Sequence, residues 1–265
     1  MRLTWLTDLH LEFLTPARLT QFCVGLARAA PESLLITGDI SQSRGLEKHL
    51  RILERTLECP IYFVLGNHDF YYGSIGEVRA LAERVSLASP RLCWLPSRGI
   101  IPLSEATALV GHDGWADGRF GDYARSAVML NDYRFIQEFV GLGRDARLAR
   151  LGQLGDEAAA YLRGILPEAL SRWRRVIVAT HVPPFAQAAW HEGRISDDDW
   201  LPHFSCKVVG EVLVEAMRER PDREMLVLCG HTHGAGEIEV LPNLKVVTGG
   251  AVYGEPRVQR VLTIE

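Results

Sequence analysis

The chain has 265 residues, of which 47% are hydrophobic and 23% charged. That composition supports a sizeable core and excludes a disordered or fibrous chain. The net charge of −4 counts against extended nucleic-acid binding, which usually makes a domain basic, and no run reaches the roughly 18 apolar residues of a membrane span. Cysteines at 23, 59, 93, 206 and 229 have no CxxC spacing and read as buried free thiols of a reducing compartment. Residues 1–10 lack the pattern of a secretory leader, so a cytoplasmic protein is expected.

The first third alternates strand and helix. Residues 3–7 form an apolar run. Residues 15–29 carry Leu19, Phe22, Cys23 and Leu26 at helical spacing. A second strand is expected at 33–37, a helix at 45–57, a third strand at 61–65 and a helix at 74–88. This order implies a parallel sheet with right-handed crossovers. Short strands follow at 92–95 and 107–110. The spacing predicts helices over 124–139 and 144–173, with Gly141, Gly143, Gly164 and Pro167 as breaks. A strand at 175–180 precedes a long loop over 183–204, a segment long enough to form a substrate lid. A helix at 206–218 and strands at 224–229, 237–241, 245–248 and 257–264 complete the chain. No repeat or linker interrupts it, so one domain over 1–265 is expected.

Polar residues mark the strand ends. The first strand leads to Asp8 and His10, the second to Asp39, and the third to Asn67, His68 and Asp69. The strand at 175–180 leads to His181, and that at 224–229 to His231 and His233. Ligands of open parallel sheets bind beyond the carboxyl ends of the strands. Carboxylate oxygen and imidazole nitrogen suit Mn, Fe, Zn, Co or Ni, and a carboxylate can bridge two such ions. Two ions about 3.5–4 Å apart make hydroxide available near neutral pH and hold both oxygens of an in-line phosphoryl displacement. Any one of these residues could instead be turn chemistry, a cap or a structural histidine; five groups in order at strand ends favour a metal site.

Asp8-Leu9-His10, Gly38-Asp39, Gly66-Asn67-His68-Asp69, Thr180-His181 and Gly230-His231-Thr232-His233 together resemble the motif set of the calcineurin-like metallophosphoesterases. The resemblance spans residues 8–233. It implies a four-layer α/β/β/α sandwich with two mixed sheets and two divalent or trivalent transition-metal ions. Asp8, His10 and His233 would bind one ion, Asn67, His181 and His231 the other, and Asp39 would bridge them. His68 would act as leaving-group acid or transition-state stabiliser, paired with Asp69. Many members carry a second Asp three residues beyond the bridging one, where this chain has Gln42.

The expected activity is hydrolysis of a small-molecule phosphoester, foremost a phosphodiester of small or nucleotide-like form, by a metal-bound hydroxide. The alternatives are a phosphomonoesterase or Ser/Thr phosphoprotein phosphatase, then a nuclease or an inactive scaffold. His112 and Arg119 read either as substrate contacts or as a loop network with Asp113, Asp117 and Asp122. Tyr71, Tyr72, Trp190 and Trp200 read as packing, with stacking on a base as the alternative. His191 and His203 read as structural or exposed, and His49 as a surface residue.

Overall fold

The computed structural model describes residues 1–265. Its first part runs β1 (Arg2–Leu6), α1 (Pro16–Arg28), β2 (Ser33–Thr37), α2 (Ser43–Thr56), β3 (Ile61–Val64), α3 (Ile75–Leu87) and β4 (Leu92–Trp94). The middle holds α4 (Leu95–Arg98), β5 (Ile101–Pro102), β6 (Thr107–Gly111), α5 (Asp132–Phe135), α6 (Arg144–Arg172) and β7 (Arg175–Ala179). The last part holds β8 (Trp190–His191), β9 (Arg194–Ile195), α7 (Leu201–Phe204), α8 (Lys207–Arg218), β10 (Glu224–Cys229), β11 (Gly236–Leu241), β12 (Leu244–Thr248) and β13 (Val258–Thr263).

Two mixed sheets result. One has the order β13-β1-β2-β3-β4, with only β13 antiparallel to its neighbour. The other has the order β11-β12-β10-β7-β6-β5, parallel except at its two edges. Successive strand residues point to opposite faces, and both faces of each sheet are covered. In β2, Leu35 joins a central core with Leu3, Trp5, Val64, Leu109, Ile177 and Leu228, which come from both sheets. Its neighbours Leu34 and Ile36 face the opposite way, toward Leu46, Leu50 and Val78 of the helices. In β7, Ile177 joins the central core while Val176 and Val178 pack with Leu162, Val209 and Leu213. The outcome is helix, sheet, sheet, helix, the four-layer arrangement implied by the resemblance. Each fully buried Leu, Ile or Val contributes about 1.5–3 kcal/mol.

Three local expectations are corrected. The helix expected over 124–139 shrinks to the single turn α5. Tyr133, Ile136 and Phe139 reach the core, but Asp132 also turns inward to Asn67, which breaks the amphipathic stripe. Conversely, α6 runs unbroken through Gly164 and Pro167. Leu151, Leu154, Ala158, Leu162, Leu166 and Leu170 form its buried stripe, and that burial outweighs the about 3 kcal/mol cost of an internal proline. His49 is buried rather than at the surface, its Nδ1 2.7 Å from Ser41 Oγ.

Candidate metal centre

The chemistry-bearing strand ends belong to two sheets, not one. β1, β2 and β3 come from the first sheet and β7 and β10 from the second, and their carboxyl ends meet at a shared edge. Backbone hydrogen bonds tie the ends within each sheet, Asp8 N–H to Gly38 O at 3.1 Å, His10 N–H to Asp39 O at 2.9 Å and Gly230 N–H to His181 O at 2.9 Å, and His231 N–H donates across to Asp8 Oδ1 at 3.0 Å. Asp8, His10, Asp39, His231 and His233 all have left-handed backbone, with φ of 49°, 43°, 51°, 72° and 60°. Such conformations cost energy in non-glycine residues and gather where surrounding structure enforces a functional geometry.

Asp39 is the common element of two clusters. In the first, Nε2 of His10 and Nε2 of His233 lie 3.0 Å apart. Asp39 Oδ2 is 3.7 Å from the former and Asp8 Oδ1 is 3.5 Å from the latter. Ligand atoms of these four residues lie within 4.8 Å of one another, close enough to share one ion. In the second, Asn67 Oδ1 is 3.0 Å from both His181 Nε2 and His231 Nδ1, and Asp39 Oδ1 is 3.4 Å from His181 Nε2.

Hydrogen bonds behind these atoms fix which ends face inward. His181 Nδ1 meets Thr37 O at 2.8 Å, and His231 Nε2 meets His203 O at 3.0 Å. A carbonyl can only accept, so those nitrogens carry the hydrogens and the opposite ring nitrogens present lone pairs. Asn67 Nδ2 donates to Asp132 Oδ1 at 2.8 Å, which turns Asn67 Oδ1 toward the histidines. Acceptors therefore converge on acceptors, a set that a proton or a metal cation can satisfy. Burial opposes charge on Asp39, but His181, His68 and His10 outweigh it and hold its carboxyl well below the usual range. Against the same burial, Asp39 raises His181 to about 10. Burial and the neighbouring His181 lower His231 to about 4. The nitrogen and oxygen donors fit first-row transition metals.

His68 lines the same pocket as Asp39, Asn67, His231 and His233. Its backbone N–H donates to Asp39 Oδ1 at 2.8 Å, and its ring stacks on Tyr71 at 4.2 Å between centroids. Burial disfavours its charged form, yet Asp39, Glu12 and Asp132 together raise its pKa above the ordinary histidine value. The expected pairing with Asp69 is not formed. Asp69 instead accepts the backbone N–H groups of Ser41 at 2.9 Å and Gly66 at 2.8 Å, which occupies its carboxylate in holding two loops together. The carboxylate beside His68 is Glu12, whose Oε1 is 3.8 Å from Nδ1.

His112 and Arg119 do not join the centre. His112 is buried, accepts Gly114 N–H at its Nδ1 at 3.1 Å, and packs by Tyr161. Arg119 makes a two-pronged bridge to Asp156 at 2.8 and 2.9 Å and also contacts Asp117. Both side chains are thus occupied by local contacts. Other residues reach the pocket unannounced by the sequence: Asp132, Tyr253, and His191 and Phe204 of the 183–204 segment. Tyr253 is half exposed and lies 4.6 Å from the His10 ring and 4.9 Å from the His233 ring. Its only sequence signal is an aromatic in a glycine-flanked stretch after the last site motif.

No curated protein matches the sequence. Among solved structures, a dimetal phosphatase from Danio rerio aligns over 97% of this chain and 89% of its own, at 14% identity and a TM-score of 0.60. The phosphopantetheinyl hydrolase of Mycobacterium tuberculosis aligns over 95% and 89%, at 14% identity and a TM-score of 0.67. A 5′-nucleotidase from Candida albicans aligns over 94% of this chain and 45% of its own, at 13% identity and a TM-score of 0.51. At such identities these likenesses establish the fold alone. No helix of the structure is long and apolar enough to cross a membrane. Residues 1–235 match the family model of the calcineurin-like phosphoesterases, a stretch that includes every strand end described above, and the chain belongs to that family of dinuclear-metal phosphoester hydrolases.

Proposed function

We propose that the chain hydrolyses phosphodiesters of small, nucleotide-like molecules. Asp8, His10 and His233 hold one ion, Asn67, His181 and His231 the other, and Asp39 lies between them. One observation carries this reading: two sets of converging acceptor atoms share Asp39 beneath a single pocket. Bound there, an ion pair supplies an acidified water and positive charge for the phosphoryl oxygens. His68, at the edge of the pocket, holds a proton for the departing alkoxide.

The preference for diesters rests on the lining. Tyr253, Tyr71 and Phe204 border the pocket with aromatic rings, and its side chains able to carry positive charge are the histidines 68, 191, 231 and 233. Arg119 is engaged by Asp156 and Asp117. A singly charged diester with a flat organic group matches such a lining better than a dianionic monoester. The second reading is a phosphomonoesterase, favoured by the likeness to a protein described as a dimetal phosphatase.

The test is a comparison of kcat/KM for bis(4-nitrophenyl) phosphate and 4-nitrophenyl phosphate after reconstitution with Mn, Fe, Zn, Co or Ni. Faster turnover of the diester is expected. Preference for the monoester puts the second reading in its place, and no turnover of either ester with any metal sinks both.

A further inference from the structure

Glu12 occupies an unusual position. It lies in the single turn Leu11–Phe13 that follows β1. The left-handed backbone at His10 starts that turn, and Leu11 N–H is bonded to Ile40 O at 3.0 Å. The chain thus folds back, and the Glu12 side chain, 13% exposed, lies between two imidazoles. Its Oε1 is 3.8 Å from His10 Nδ1 and 3.8 Å from His68 Nδ1. Both Glu12 oxygens and both Nδ1 atoms are buried without hydrogen-bond partners. Leaving such groups unpaired is costly. A closure of less than about one ångström would turn both contacts into N–H···O bonds of ordinary length. Asp69, the nearest carboxylate in sequence, is held by two backbone amides.

We infer that Glu12 is a positioning residue of the centre, one carboxylate that accepts Nδ1–H from both His10 and His68 and so fixes the orientation of both rings. This inference rests on the roles proposed above for those two histidines. With its hydrogen on Nδ1, His10 turns a lone pair at Nε2 toward His233 and Asp39. With Nδ1 directed at Glu12, His68 is left with Nε2 as its free end. One residue thereby couples a metal ligand to the proton donor. It does so from the turn after β1, remote in sequence from His68.

The same three residues could alternatively gather a further cation, and the experiment separates the two. Long-range ¹H–¹⁵N correlation spectra of metal-free protein, ¹⁵N-labelled at histidine, report which ring nitrogen carries hydrogen. In the wild type, His10 and His68 should both carry it at Nδ1. Glu12→Leu should lose that preference at both rings, weaken metal binding roughly 10–100-fold and lower kcat more than it changes KM. Glu12→Gln, which keeps one acceptor oxygen, should lie between. Unchanged ring spectra in Glu12→Leu would overturn the inference. So would a wild type that takes up three metal equivalents at saturation where Glu12→Leu takes up two. Nδ1–H rings in a wild type that cleaves no phosphoester would uphold the positioning role and remove the functional reading beneath it.

Discussion

Asp132 accepts the Asn67 side-chain N–H at 2.8 Å across 65 residues of sequence and thereby decides which way the Asn67 amide faces. Tyr71 Oη donates to the same Asp132 oxygen at 2.8 Å, so the carboxylate is held as well as holding. With Nδ2 committed, Asn67 Oδ1 is the atom offered to His181 and His231.

Asp132→Leu removes that restraint. The Asn67 amide is then free to rotate, and the cluster around His181 and His231 loses its shared oxygen. We expect metal affinity at that half of the centre to fall roughly 10–100-fold, as for other residues that orient ligands. The half formed by Asp8, His10 and His233 should keep its ion. Titration of the apoprotein by calorimetry would resolve two unequal binding steps where the wild type has two tight ones. Equal weakening of both steps would mean that Asp132 supports the fold at large rather than Asn67.

Asp39 and His68 should separate binding from rate. Asp39 touches both clusters, so Asp39→Ala should abolish tight metal binding and turnover together. His68 contributes its backbone N–H to Asp39, and that bond survives removal of the ring. His68→Ala should therefore retain both ions while turnover falls roughly 10²–10⁴-fold, the usual worth of a positioned proton donor. Loss of metal from His68→Ala, measured by elemental analysis after desalting, would show that the ring is a ligand and the proposed division of labour is wrong.

The seven metal-competent residues and His68 were legible because each follows a buried run, and strand ends of one direction share an edge. The division of those strands between two sheets was not legible: β3 and β7 are both short apolar runs, and neither encodes its neighbours. Asp132 and Glu12, and the contact that His203 makes behind His231, were missed for a related reason. Each acts on a residue remote in sequence or against the expected periodicity, and alone each resembles a turn acid or a loop histidine. Pro167 misled in the other direction, since burial of the α6 stripe overrode a local helix breaker. The left-handed backbone at five site residues has no marker beyond the tolerance of Asp and His for it.

Close packing at Gly66 offers a third prediction. A Cβ built there would strike Asp39 Oδ1, the Asp39 backbone nitrogen and the His181 ring. Gly66→Ala must push Asp39 and His181 apart, and overpacking of this kind costs about 1–3 kcal/mol. The variant should fold with a lowered melting temperature and bind metal weakly. Gly76, in α3, has open space where its Cβ would lie, and Gly76→Ala should gain roughly 0.5–1 kcal/mol with metal binding unchanged. If Gly66→Ala bound two ions as tightly as the wild type, the crowding around Asp39 would be wrong.

His203 provides a pH dependence that can be read without metal. It is 2% exposed, with Nδ1 2.5 Å from Tyr133 Oη and Nε2 3.1 Å from Ser126 Oγ. Burial first, then Arg147 and Arg144, lower its pKa from 6.5 to about 4. As pH falls, the unfolded chain takes up this proton near 6.5, whereas the folded protein resists until about 4. The folded state therefore holds fewer protons across that window. Its advantage is complete above pH 6.5 and is lost progressively as pH falls toward 4. A displacement of that size is worth up to about 3 kcal/mol. Urea unfolding of chelator-treated protein across this window should give a steeper acid loss in the wild type than in His203→Gln, whose amide does not titrate. The variant should be less stable than the wild type at pH 7, because Tyr133 and Ser126 lose a well-fitted partner, and the gap should narrow toward pH 4. Parallel stability curves would mean that the folded protein takes up the His203 proton no later than the unfolded chain does, and that its pKa is not lowered.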